Sequence, residues 1–265
     1  MGSNESMESS IVDIVANKDV EDGSSEEVLS IPSSVEKKSV SVTNIDPTAF
    51  NPMTVVVQAK ALKHLFTTLR NVTTSTTDFV HYSRRIMTLL AEEVLSELPS
   101  EVINVPTPCG TWEGIHQIMD WSEVCAVSIV RSGDALIDVI RNLVPQISVG
   151  KILIQRNEEH PDKIPTLLYS KLPQNKKYIL LCDPMLATGG SATMALDVLT
   201  VRYKINPRNI VFVNVISCPE GLEALAKSYP RVKIVTAMVD SHLNADKFIV
   251  PGLGDFGDRY YGTDD

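Results

Sequence analysis

An apolar run, Tyr178-Ile-Leu-Leu-Cys182, stops at a single carboxylate, Asp183, and leads into Pro184-Met185-Leu186-Ala187-Thr188-Gly189-Gly190-Ser191, a loop of small and hydroxyl residues that opens a helical pattern. Residue types in that order suit a sugar phosphate. Asp183 can accept hydrogen bonds from two vicinal ribose hydroxyls, while Thr188, Ser191 and the backbone N–H groups from Ala187 to Ser191 can converge on a phosphate at the positive end of the helix. Gly189 and Gly190 let the main chain come close to the anion. The triphosphate-binding loop G-x-x-x-x-G-K-[ST] needs a lysine beside its hydroxyl residue, and no Lys or Arg occurs from Tyr178 to Val201. The spacing therefore argues against a nucleoside triphosphatase.

Such a loop works only at the end of a strand. Apolar strand candidates recur at Cys125–Val130, Lys151–Ile154, Tyr178–Cys182, Ile210–Ile216 and Val232–Val239, with helical patterns between them at Ala135–Leu143, Ala192–Tyr203 and Gly221–Ser228. This alternation predicts an α/β fold, a mostly parallel twisted sheet flanked by helices. Two helical patterns precede it, Val55 to Leu69 and Asp78 to Leu98, the second with Asp78 as its expected N-cap. Ligands of such sheets sit beyond the carboxyl ends of the strands. Arg131, Arg156, Asp183 and Asp240 stand at those ends. Two arginines facing one crevice would suit pyrophosphate oxygens, which guanidinium forks pair bidentately.

Near the C-terminus, Gly252-Leu-Gly254-Asp255-Phe256-Gly257 spells G-x-G-x-x-G, but only eight residues follow, too few for the crossover helix and strand of a dinucleotide site. A Gly-dense loop crossing the sheet's end can instead offer backbone groups to a flat polar ring, with Phe256 or an apolar neighbour against its face.

Composition bounds the rest. The net charge of −9 is concentrated in residues 1–50, where ten acids face three lysines, leaving −2 for the remainder. This Ser-rich segment has no aromatic residue before Phe50, so we expect an acidic disordered tail over 1–50 and one domain over 51–265. The sequence shows no basic block for nucleic acid, no membrane-length apolar run and no signal peptide, which points to a cytoplasmic protein. Cys109, Cys125, Cys182 and Cys218 lack C-x-x-C spacing and read as reduced cysteines.

Over about residues 58–265 the chain resembles the uracil phosphoribosyltransferases of the eukaryotic type. The resemblance is carried by Val127-Ser-Ile-Val-Arg-Ser-Gly-Asp134, Gly150-Lys-Ile-Leu-Ile-Gln-Arg156, Asp183 to Ala192, and Ile249-Val-Pro-Gly-Leu-Gly-Asp-Phe-Gly-Asp-Arg-Tyr-Tyr-Gly-Thr263. It implies the type I phosphoribosyltransferase fold with a small hood and a C-terminal base-binding loop. The implied reaction is uracil plus 5-phospho-α-D-ribose 1-diphosphate (PRPP) to UMP plus diphosphate, with magnesium carried on the diphosphate rather than held by the protein. On this resemblance Arg131 and Arg156 hold pyrophosphate, Asp183 the ribose hydroxyls and Ala187 to Ser191 the 5′-phosphate, with Pro184, Met185, Leu186 and Asp255 completing the PRPP-binding set. Ile249, Gly254 and Phe256 meet uracil through backbone groups, and Asp255 lies near ring and ribose, where it is a candidate for the N1 proton.

Three positions depart from the family's pattern: Trp112 stands for a usual Tyr, Asn157 for an acid, and Thr76 for a lysine that, with an arginine matched here by Arg85, serves GTP activation in some relatives. GTP control is thus left open. The resemblance suggests a homodimer or homotetramer. A non-catalytic homologue binding uracil, UMP or GTP, and a transferase for another base, are the alternatives.

Overall fold

The computed structural model describes residues 45–156 and 165–263. In chain order its strands are β1 (Thr54–Val56), β2 (Ser100–Thr107), β3 (Gly110–Gln117), β4 (Val124–Val130), β5 (Ser148–Arg156), β6 (Pro165–Lys171), β7 (Tyr178–Cys182), β8 (Met185–Leu186), β9 (Ile210–Ser217), β10 (Lys233–Val239), β11 (His242–Leu243) and β12 (Ile249–Val250). The helices are α1 (Ala61–Arg70), α2 (Thr76–Ser96), α3 (Gly133–Leu143), α4 (Gly190–Asp197), α5 (Pro219–Ser228) and α6 (Phe256–Tyr261).

The central sheet runs β1-β10-β9-β7-β4-β5-β6, with β8 beside β9. All its pairings are parallel except that of β5 with β6. Strands β4, β7 and β9 are buried nearly throughout, as continuous Val/Ile/Leu runs require when helices cover both faces. One face packs on α1, α2 and α3 through Leu65, Leu69, Phe79, Ile86, Leu90 and Leu136, and the other on α4 and α5 through Leu196, Leu222 and Leu225. Each fully buried aliphatic side chain contributes about 1.5–3 kcal/mol, so these two faces hold the sheet as the fixed platform of the site.

Several elements differ from expectation. Val55 and Val56 form β1 beside β10, and the helix starts only at Ala61, because β-branched residues at the sheet edge gain more from pairing than from a helical turn. Ser75, not Asp78, caps α2, its hydroxyl accepting from the Asp78 amide at 3.2 Å. Helix α4 ends at Asp197 and continues as a wider π turn over Val198–Arg202. The β2–β3 hairpin stands apart from the main sheet and leaves Trp112 and Ile115 exposed. Residues 45–50, placed with the tail on composition, belong to the domain: Asp46 caps a 3-10 turn at Pro47–Ala49, and Ile45 and Phe50 pack on the core. The rest of the tail, residues 1–44, lies outside the described residues.

Candidate active site

A cleft of about 670 Å³ opens at the carboxyl ends of β4, β5 and β7. On one side stand Asp183, Met185, Ala187, Thr188 and Ser191; on the other Ile249, Gly254, Asp255 and Phe256.

Asp183 follows the last residue of β7 and is buried, with its backbone N–H bonded to the Val213 carbonyl at 3.1 Å and the Ser132 hydroxyl 3.5 Å from Oδ1. The chain then runs beside β9: the Pro184 carbonyl accepts from the Val215 and Ile216 amides, and Leu186 is buried in the core. Pro184 and Leu186 therefore shape the loop from beneath and do not face the cleft with the residues around them. Gly189, at φ +80°, caps α4 in the left-handed conformation, so the glycine is needed here. Gly190 is helical, and a Cβ there would make only ordinary contacts. Thr188 and Ser191 thus flank the start of α4, the positive end of its dipole, where the Thr188 hydroxyl accepts from the Gly190 amide at 3.5 Å.

Arg131 sits between Val130 and Ser132, both of which line the cleft. Its guanidinium donates to Asp258 at 2.5 Å and Thr263 at 2.9 Å, and lies over the Tyr261 ring at 5.5 Å. The bond from Arg131, and one that the Thr263 hydroxyl donates to the same carboxyl at 2.8 Å, hold Asp258 below its ordinary range. A diphosphate reaching Arg131 would meet a guanidinium already oriented by α6. Arg156 closes β5, its backbone opposite Pro165; Asn157 and Glu158 lie outside the described residues.

The base-side loop differs from the sequence reading in three ways. It contains a helix, α6, capped by Asp255, whose Oδ1 accepts from the Asp258 amide at 3.0 Å. The Phe256 ring does not lie open to a ligand face but is buried, stacked on Tyr260 and edge-on to Phe79. Phe248, 48% exposed on the cleft's rim, is the ring that a ligand could meet. Asp240, expected to face the crevice, is fully buried and paired with Arg70. Burial of a carboxylate demands such a partner. The resemblance implied a hood without naming its residues; Asp246, Lys247 and Phe248 line the cleft there, on a turn closed by the Asn244 side chain and backbone. Asn244 and Asp246, residue types that favour turns, were its local signal in the sequence.

A strand-end carboxylate, a hydroxyl-bearing loop at a helix start and a glycine-rich loop facing it across a parallel sheet are the parts of a phosphoribosyltransferase. The family described as uracil phosphoribosyltransferase matches this sequence over residues 56–263. A uracil phosphoribosyltransferase of Dictyostelium discoideum is 48% identical over 207 residues, covering 77% of this chain and 93% of its own. One of Saccharomyces cerevisiae is 43% identical over 214 residues, covering 80% and 97%. Among solved structures, the AQ2163 protein of Aquifex aeolicus aligns with a TM-score of 0.66 at 31% identity over 78% of this chain and 97% of its own. The chain belongs to the uracil phosphoribosyltransferase family.

Proposed function

We propose that the cleft transfers the 5-phosphoribosyl group of PRPP to N1 of uracil, giving UMP and diphosphate. The observation that carries this is the meeting, in one cleft, of the Asp183-to-Ser191 loop with Ile249, Gly254 and Asp255. Asp183 accepts from the ribose hydroxyls, and the Thr188 and Ser191 segment binds the 5′-phosphate at the start of α4. Cleavage at ribose C1 builds positive charge on the sugar and negative charge on the departing diphosphate. Arg131 and Arg156 lower the barrier by meeting that charge as it grows. Backbone groups at Ile249, Gly254 and Phe256 orient uracil so that N1 faces C1, removing the entropy of encounter from the chemical step. Asp255 and Asp258 of this segment both line the cleft, and because Asp258 is paired with Arg131 we assign Asp255 the contact with ring and ribose and a share in accepting the N1 proton.

Among the described residues no group of three or more His, Cys, Asp or Glu side chains could hold a metal ion. The cleft's carboxylates, Asp183, Asp246, Asp255 and Asp258, are oxygen donors of the kind that suit a hard magnesium ion arriving on the diphosphate. When bound, magnesium neutralises the leaving group.

The test is to incubate the full chain with magnesium, PRPP and, separately, uracil, hypoxanthine, adenine and orotate, and to measure nucleotide formed. UMP from uracil alone is expected. No UMP with or without GTP defeats the proposal, and faster reaction with another base reassigns the substrate. The same assay addresses GTP: Arg85 is exposed on α2 with its guanidinium 5.5 Å over the Tyr82 ring, and Thr76 opens that helix.

We further propose a homodimer through the β2–β3 hairpin. Val102, Trp112, Ile115 and Ile118 are exposed there, an apolar grouping that a second copy would cover. Light scattering that gives a monomer mass defeats this.

A further inference from the structure

A buried ion pair holds the base-side loop without touching the cleft. Arg70, the last residue of α1, donates from both terminal nitrogens to Asp240, at 2.7 and 2.6 Å. The same pair takes both polar groups of Gly252: Asp240 accepts from its N–H at 2.8 Å, and Arg70 donates to its carbonyl at 2.7 Å. One residue on, Arg259 donates to the Leu253 carbonyl at 2.6 Å and to Leu69 and Asn71 at the end of α1, at 3.0 and 2.7 Å. Gly252 has φ +63°, and a Cβ there would stand 2.1 Å from the Ile249 carbonyl, so the turn is already as tight as a chain permits.

Stability alone does not call for this arrangement. A buried ion pair is often no better for the fold than apolar residues of the same volume. What the pair supplies is position. Gly252 lies midway between Ile249 and Gly254, both on the cleft, and recognition through backbone groups tolerates little displacement because hydrogen bonds weaken steeply away from their preferred distance and angle.

We infer that Arg70 and Asp240 are positioning residues for the base: they fix Gly252, and through it the backbone of Ile249 to Gly254, at the geometry that reads the polar edge of the pyrimidine. This rests on the uracil reading proposed above. Arg259 acts as the second arm of the same clamp.

The experiment compares wild type with Arg70→Lys, Asp240→Asn and Arg259→Lys in the full chain, measuring kcat, KM for uracil, KM for PRPP and the thermal midpoint. Arg70→Lys keeps the charge and loses the fork. KM for uracil should rise at least about tenfold, with KM for PRPP within about twofold of wild type, as loss of ground-state binding to one substrate predicts. A rise of both KM values together, or an unmoved KM for uracil in a folded Arg70→Lys protein, overturns the inference. Should Asp240→Asn fail to fold, the two charge-conserving variants decide. No UMP from wild type overturns the uracil reading and the inference built on it; UMP from wild type with unmoved variants overturns the clamp alone.

Discussion

The two lips of the cleft are built in opposite ways. The phosphoribosyl lip is local: strand, carboxylate, loop and helix follow one another from Tyr178 to Asp197, and hydrogen bonds from β9 support it from beneath. The base lip is held from far along the chain: Arg70 reaches Asp240 and Gly252, Arg131 reaches Asp258, and Arg259 reaches back to Leu69 and Asn71. A local motif inherits its geometry from the regular elements on either side of it. The base loop lies between a two-residue strand, β12, and a short helix, α6, which give it less support, and charged side chains, each of which loses hydration, hold it.

The largest effect is expected on the local lip. Asp183→Asn should lower turnover at least about tenfold, because an acceptor for the ribose hydroxyls is weakened at the reacting sugar. Steady-state kinetics checks this, and an unchanged rate refutes the role of Asp183.

Two glycines allow a paired test of the contrast. A Cβ at Gly221 of α5 would stand 2.6 Å from the Ala187 carbonyl, under the phosphoribosyl loop, while one at Gly252 would strike the Ile249 carbonyl. Alanine gains about 1 kcal/mol of helix propensity at Gly221, but overpacking against backbone costs about 1–3 kcal/mol, so the clash decides the sign. Gly221→Ala should raise KM for PRPP and spare uracil; Gly252→Ala should do the reverse. Equal shifts in both would dissolve the distinction between the lips.

That distinction also marks how much could be read before the fold was known. The sheet's five central strands and the Asp183-to-Ser191 loop were legible because each is a contiguous pattern whose period or residue order carries the physics. The placement of Ile249, Gly254 and Asp255 on the opposite lip came from a resemblance rather than from any period. Asp240 was misjudged, and of the rings offered for the base's face, Phe256 or an apolar neighbour, that of Phe256 is buried, for a common reason: whether a side chain faces the ligand or the core depends on partners that the local pattern does not contain, Arg70 in one case and Phe79 with Tyr260 in the other. The antiparallel edge strand β6 and the β2–β3 hairpin carry too few buried residues for a burial period to reveal them.

A smaller effect is expected at Arg131. Asp258→Asn loosens its guanidinium and should raise KM for PRPP by less than the Gly221 change, since the pair is half exposed. The sign with pH follows from the carboxyl lying below its ordinary 3.8 when folded. Its contribution is fully present above the unfolded value and is lost as pH falls through the lower folded one. The difference in thermal midpoint between wild type and Asp258→Asn should therefore be constant from about pH 5 to 9 and close only below about pH 4.

Smallest is the thiol pattern beneath the phosphoribosyl lip. Burial pushes Cys125 up to about 11 and Cys218 up to about 12, and raises Cys182 still further, whereas Cys109 is exposed at the hairpin turn. Iodoacetamide at pH 8 should label Cys109 alone in the folded protein and all four cysteines in guanidinium, as peptide mass mapping would show. Labelling of Cys182 or Cys218 without denaturant would mean that the local lip opens more readily than its packing implies.

The central claim, that these two lips take the two halves of one nucleotide, is tested most directly by a crystal structure with UMP bound. The account predicts the phosphate within about 3 Å of the Thr188 and Ser191 segment, the ribose hydroxyls on Asp183, and the polar edge of the base on backbone groups between Ile249 and Phe256. Phosphate away from the start of α4, or a base lying outside the Ile249-to-Phe256 loop, would contradict it.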